Sequence, residues 1–148
     1  MSAGYASIEK DREGAFISYH FNAMSRHTIH KDIFALTRKN SWFRREVVTG
    51  EHSQVVLMCI ESGDEIGEEV HAVDQTLVFV EGSGEAILDD TTETFDAGDL
   101  FFVPAGTRHN FRNTGTGPLK LFTVYAPNEH VAGTNHQTKA DALNDPNE

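Results

Sequence analysis

Short runs of β-branched and aromatic residues, each closed by a turn-forming sequence, fill this chain from Phe43 to Ala126 and point to antiparallel strands. Candidate strands are Phe16 to Phe21, Phe43 to Thr49, Gln54 to Glu61, Glu68 to His71, Thr76 to Val80, Glu85 to Leu88, Glu93 to Phe95, Leu100 to Val103, His109 to Asn113 and Leu119 to Ala126. Between them stand Thr49-Gly50, Ser62-Gly63-Asp64, Glu81-Gly82-Ser83-Gly84, Asp89-Asp90, Ala97-Gly98-Asp99, Pro104-Ala105-Gly106 and Gly115-Thr116-Gly117-Pro118. These are the residue types with which a chain reverses direction. Many short strands at short intervals predict an all-β sandwich or barrel. One short N-terminal helix is expected over Asp32 to Lys39, capped by Asp32, with Ile33, Leu36 and Thr37 on one face.

With 148 residues, 39% of them hydrophobic, the chain can bury one real core. The expected organisation is an N-terminal extension over 1–27 with one possible strand, a β-barrel over 28–134 and a polar C-terminal tail over 135–148. The tail is expected to fray, with a short helical turn at Lys139 to Leu143. A net charge of −11 without a Lys/Arg cluster argues against nucleic acid and against an anionic membrane surface, since both reward concentrated positive charge. Cys59 is the single cysteine, so a disulfide framework within the chain is excluded and a reducing compartment is expected. The polar first residues lack a signal-peptide pattern, and no apolar run reaches the roughly 18 residues of a membrane span. The expectation is therefore a cytoplasmic protein. Hydrophobic edge strands near the N-terminus, Phe16 to Phe21 above all, predict a homodimer.

Chemistry concentrates in two clusters. The first runs from Gly63 through Glu69, His71 and Gln75 to Gly82; the second runs from Gly98 through Pro104, Gly106 and His109 to Asn113. On an extended segment Glu69 and His71 are two apart and share a face, so both turn inward if Val70 turns out. Gln75 opens the next strand, with Leu77 and Phe79 following on its side. After the Pro104-Ala105-Gly106 turn, the returning strand presents His109, Phe111 and Asn113 on one face, which lets His109 face the other three polar groups across the barrel. A glutamate in the acidic run Asp64, Glu65, Glu68, Glu69 is ordinarily a solvated charge, and a barrel histidine is ordinarily a hydrogen-bonded one. The joint spacing of both clusters favours the ligand reading.

These residues resemble those of a single-domain cupin. The second motif of that family, glycine, five residues, Pro-x-Gly, two residues, His, three residues and Asn, is met by Gly98, Pro104, Gly106, His109 and Asn113. The first motif matches in spacing through Gly63, Glu69, His71, Gln75 and Gly82, with Glu69 where the pattern has its first histidine and Gln75 where it has glutamate. The run from Gly63 to His71, with Glu129-His130 and Gly133 to His136, is similar to a subgroup of small cupins named for likeness to mannose-6-phosphate isomerase.

The resemblance implies a double-stranded β-helix, or jelly-roll barrel, and one divalent transition metal ion (Mn, Fe, Ni, Cu or Zn) held by Glu69, His71, Gln75 and His109. Glu69, His71 and His109 alone have the composition of a two-histidine, one-carboxylate site. The implied activity is that of a metal-dependent enzyme, isomerase-like or dioxygenase-like, on a small oxygen-rich molecule; no catalytic base stands out. Alternatives are a non-catalytic metabolite-binding cupin and a sensory or interaction module. Gly98, Gly106, Pro104 and Asn113 are expected to be structural. Arg45, Phe79, Phe102, Phe111, Phe122 and Tyr125 are candidates to line a pocket, with the core the stronger expectation for the aromatics, and Trp42 and Phe43 beside Arg44-Arg45 are candidates for an interface. His20, His27, His30, His52 and His130 are expected at the surface or in structural roles, and His136 near the barrel mouth.

Overall fold

The computed structural model describes residues 27–148 and two earlier strands, β1 (Ile8–Lys10) and β2 (Phe16–Ser18), which pair antiparallel with Ile8 opposite Ser18. Of the strand expected at Phe16 to Phe21, the last three residues lie outside the described residues, as does His20. The chain divides into two compact units, Met1–His30 and Lys31–Glu148, and the candidate site lies wholly in the second.

That second unit begins with helix α1 (Ile33–Lys39), where Asp32 accepts a hydrogen bond from the Ala35 amide at 3.0 Å and Thr37 is buried. The strands follow as β3 (Arg44–Thr49), β4 (Gln54–Ile60), β5 (Asp74–Glu81), β6 (Ser83–Leu88), β7 (Thr91–Asp96), β8 (Leu100–Val103), β9 (His109–Asn113), β10 (Leu119–Ala126) and β11 (Asn135–His136). Helix α2 (Lys139–Leu143) comes last. Two antiparallel sheets result, ordered β11-β3-β4-β10-β5-β8 and β7-β6-β9. The all-β jelly-roll expectation is met.

Alternation explains where the core sits. Along β10, Leu119, Leu121, Thr123 and Tyr125 are buried while their neighbours are more exposed, and along β5 Gln75, Leu77 and Phe79 form the matching inward row. Phe79 of the larger sheet stacks on Phe95 of the smaller one with centroids 3.9 Å apart, and Phe111 packs against both. Each fully buried aromatic of this kind contributes roughly 1.5–3 kcal/mol of hydrophobic stabilisation. Moving along the inward rows from Phe79 to Gln75, from Phe111 to His109 and from Leu121 to Thr123, apolar side chains give way to polar ones, all still buried. The barrel therefore has an oily end and a polar end.

Two sequence expectations change. The segment expected as a strand at Glu68 to His71 is a loop that touches β9 through isolated bridges, Glu65 with Arg112 and Glu69 with His109. The tail expected to fray is docked instead. β11 pairs with β3, Thr138 and Asp141 close a capping box on α2, Ala142 is buried, and Lys139 Nζ reaches Asp64 Oδ1 at 2.8 Å and the Glu65 carbonyl at 2.6 Å. Those long-range contacts outweigh the weak helical tendency of five residues. Cys59, on β4 between β3 and β10, is buried and free, and burial pushes its thiol pKa up. No helix among the described residues is long and apolar enough to cross a membrane.

Candidate metal centre

The Glu69–His109 bridge builds the site. Each residue donates its amide to the other's carbonyl at 2.9 Å, so the two side chains start from adjacent backbone, not from opposite walls as expected. Val70 turns out with 60% of its surface exposed, which leaves Glu69 and His71 on the inner side. Gly106, at φ 84°, donates its amide to the His71 carbonyl at 2.8 Å and the Ala105 amide reaches Asp74 Oδ1 at 2.9 Å. The Pro104-Ala105-Gly106 turn thereby ties the end of one motif onto the other.

Both imidazoles are aimed by their Nδ1 atoms. His109 Nδ1 lies 2.8 Å from the Thr107 carbonyl, which can only accept, so Nδ1 carries a proton and a neutral ring presents its lone pair at Nε2. His71 Nδ1 lies 3.0 Å from Glu129 Oε1, the carboxylate–histidine pairing that orients metal-binding imidazoles. The two Nε2 atoms then approach Glu69 Oε2 at 3.1 Å for His71 and 3.9 Å for His109, with ring centroids 5.1 Å apart. One potential ligand atom from each of Glu69, His71 and His109 falls within 4.8 Å of the others, a cluster able to hold a metal ion.

Two buried atoms test the fit. Among the described residues His109 Nε2 and Gln75 Oε1 have no hydrogen-bond partner, although Gln75 Nε2 donates to Thr123 Oγ1 at 3.1 Å. Leaving a buried polar atom unpaired costs roughly 1–3 kcal/mol, and both atoms present lone pairs. Coordination of a cation would satisfy them. The donor set of imidazole, carboxylate and amide oxygen suits a divalent transition ion.

Charges around the cluster are strongly coupled. Burial by itself raises the Glu69 carboxyl, but the His71 hydrogen bond and the charges of His71, Arg44 and His109 outweigh it and hold the pKa below the ordinary value. Burial by itself lowers His71, yet the hydrogen bonds and charges of Glu69 and Glu129 prevail and hold it above. Tyr125 packs edge-on to His71 at 5.6 Å, and burial, reinforced by the Glu69 charge, drives its hydroxyl far above the ordinary phenol range.

Sequence reasoning found Glu69, His71 and His109, which converge, and Gln75, which is buried on the inward row of β5. It missed Arg44. The expected pocket residue Arg45 is exposed and lies over Trp42, while Arg44 is buried on the inner side with Nη2 3.6 Å from Glu69 Oε1. Of the expected pocket aromatics, Phe79, Phe111 and Tyr125 are buried inside, whereas Phe102 is 57% exposed and Phe122 packs on Phe34 of α1. His130 and His136 are both buried, paired with Glu148 and Asp145. Asn113 holds the Ile60 and Gly117 carbonyls and the Gly115 amide, a structural role as expected. The pairing of Glu129 with His71 had one available signal, the Glu129-His130 step just past the last long strand.

Fold and site together define a jelly-roll barrel with a candidate metal cluster at its polar end. The cupin domain family matches residues 56–125, which span both glycine-bounded clusters, and the chain belongs to the cupins. It is 42% identical over 114 residues to the uncharacterized protein YrkC of Bacillus subtilis strain 168, covering 72% of this chain and 61% of that one. The chain thus spans about three fifths of that relative's length. The crystal structure of BH2720 from Bacillus halodurans is similar with a TM-score of 0.78 and 40% identity, over 81% of this chain and 96% of that one. A shorter stretch of 66 residues is 38% identical to acireductone dioxygenase of Acidiphilium cryptum strain JF-5, covering 39% of this chain and 36% of that one.

Proposed function

We propose that this cupin is a metal-dependent enzyme acting on a small oxygen-rich molecule, with Glu69, His71, Gln75 and His109 as ligands to one divalent ion of Mn, Fe, Ni, Cu or Zn. The observation that carries the reading is the fixed direction of both imidazoles, with their Nδ1 atoms engaged by Glu129 and Thr107 and their Nε2 atoms turned to one carboxylate. The ion would supply Lewis acidity, or dioxygen activation if it is iron. Glu69 brings the negative charge that a cation needs; Glu129 keeps the His71 ring in place. Tyr125 stays protonated at neutral pH and closes the inner wall beside His71.

A dioxygenase-like reaction is favoured over an isomerase-like one. The two-histidine, one-carboxylate composition suits the first, and the partial match to acireductone dioxygenase lies on the same side. Isomerisation of a sugar or sugar acid needs a free base beside the ion. Glu69 and Glu129 are both engaged by His71, and Tyr125 is held protonated. The same shortage supports the alternative of a cupin that binds a metabolite without turnover. A cytoplasmic homodimer, paired through the N-terminal strand, completes the reading, on the strength of the single buried thiol and the hydrophobic residues of that strand.

Metal analysis of protein purified without chelator tests the centre, with about one ion per chain expected. Oxygen consumption and solvent-proton exchange across a panel of sugar acids, diketones and phenols then separate the chemistries. Binding without turnover across the panel selects the metabolite binder.

A further inference from the structure

We propose that the cavity beside Glu69 recognises a small monocarboxylate, whose carboxylate takes the place on Arg44 now held by the Glu148 side chain. The cavity has a volume of about 300 Å³ and is lined by Phe43, Arg44, Ile66, Glu69, Leu143 and Glu148, among others. Its size is at the lower end for small-molecule sites, which restricts the occupant to a compact ligand.

Arg44 is the reason to expect an anion. Its side chain is 3% exposed, and a guanidinium so removed from water needs paired negative charge. Glu69 meets that need poorly, since its 3.6 Å approach to Nη2 is an ion pair beyond hydrogen-bond reach and its other oxygen belongs to the histidines. Among the described residues Nε has no hydrogen-bond partner. Among the described residues, the carboxylate hydrogen-bonded to Arg44 is that of Glu148, through Nη1. It arrives on a segment that follows the five-residue helix α2, with its other oxygen on His130 Nδ1 at 2.9 Å, and a carboxylate from solution that replaces it keeps Arg44 compensated at the cost of that His130 contact.

The remaining walls are mixed. Phe43, Ile66, Ala142 and Leu143 offer apolar surface, while Lys139 is engaged by Asp64 and Asp145 by His136, so an occupant with a carboxylate at one end and a compact apolar body is complementary. Seated on Arg44, it lies beside Glu69 and thus beside the proposed metal centre. Its identity as a substrate rests on that reading; its binding does not.

Calorimetric titration of the full chain with benzoate and with the neutral isostere benzamide tests the proposal, in metal-free and metal-loaded protein. Benzoate binding with benzamide at least about tenfold weaker is expected, in line with a charge-assisted hydrogen bond. Glu148→Gln removes the internal competitor and tightens benzoate binding. Arg44→Gln weakens it by about tenfold or more, and Arg44→Lys, which keeps the charge but not the fork, falls between. Equal affinity for the two probes, unchanged affinity in both Arg44 variants, no gain in Glu148→Gln, or no benzoate binding to wild type and Glu148→Gln alike overturns the proposal. Benzoate binding in a protein that takes up no divalent metal under any supplementation defeats the metal reading and leaves the carboxylate site standing.

Discussion

Glu69 and His109 exchange both backbone hydrogen bonds, at 2.9 Å each, across an isolated bridge between a loop and the first residue of β9. Two proposed ligands therefore hold their positions through main-chain bonds that side-chain replacement leaves intact. His109→Ala is expected to reduce bound metal to near zero while costing the metal-free fold roughly 0.5–3 kcal/mol. Metal analysis together with thermal melting of the apo form reads both effects. Full metal occupancy in the variant removes His109 from the ligand set.

Glu129 meets the centre through His71 Nδ1, at 3.0 Å. Its replacement by alanine is expected to weaken metal binding about 10–100-fold without abolishing it, the range found when the partner of a metal-bound histidine is removed. Competition against a chelator of known affinity measures the change, and an unaltered affinity contradicts the orienting role.

Gln75 offers a sharper sign. Gln75→Glu places a second carboxylate in a buried position on the inward row of β5, so the variant is expected to bind divalent metal more tightly and to be less stable than wild type when metal is withheld. Crossing stability curves with and without metal are the expected result. Weaker metal binding in the variant argues that Gln75 is not a ligand.

Acid is expected to release the tail before the barrel. The Lys139 hydrogen bond holds Asp64 below its ordinary 3.8. For Glu148, burial raises the carboxyl, but the His130 hydrogen bond and the charges of Arg44, His130 and His136 bring it below 4.5. Both folded pKa values lie below the unfolded ones, so the stability these groups confer is complete above the ordinary values and disappears as pH falls through the folded ones. Hydrogen exchange in residues 135–148 is expected to rise below about pH 4 while β4 and β10 stay protected. Simultaneous loss of protection in all three contradicts this order.

Phe79 sits far down the oily end, with no exposed surface and three phenyl neighbours in Phe95, Phe101 and Phe111. Phe79→Ala is expected to cost about 3–5 kcal/mol and to leave metal stoichiometry unchanged in whatever folds. Denaturant titration and metal content of the same preparation separate the two.

Much of this architecture is legible in sequence because it is local. Turn chemistry marks the ends of β4 to β10 to within a few residues, and period-two alternation puts Gln75, Leu77 and Phe79 on one side. Spacing within the two clusters identifies Glu69, His71 and His109 for the same reason. Arg44 and Glu148 are 104 positions apart, and nothing near either one announces the other. The choice between Arg44 and Arg45 depends on which side of β3 faces inward, and a register shift between Glu46 and Val48 interrupts the alternation that would have decided it. β11 has two residues, too few to show any period, so the docking of the tail is a tertiary fact.

Cys59 gives the docked tail its own clock. With the thiol shielded and held protonated on the side of β4 that faces a cavity lined by Ser41, Phe43, Gln137 and Lys139, alkylating reagents react with it when that cover moves, so the rate of labelling reports how often the tail lifts off the larger sheet. A single sulfur atom thus offers a chemical stopwatch at the centre of the larger sheet.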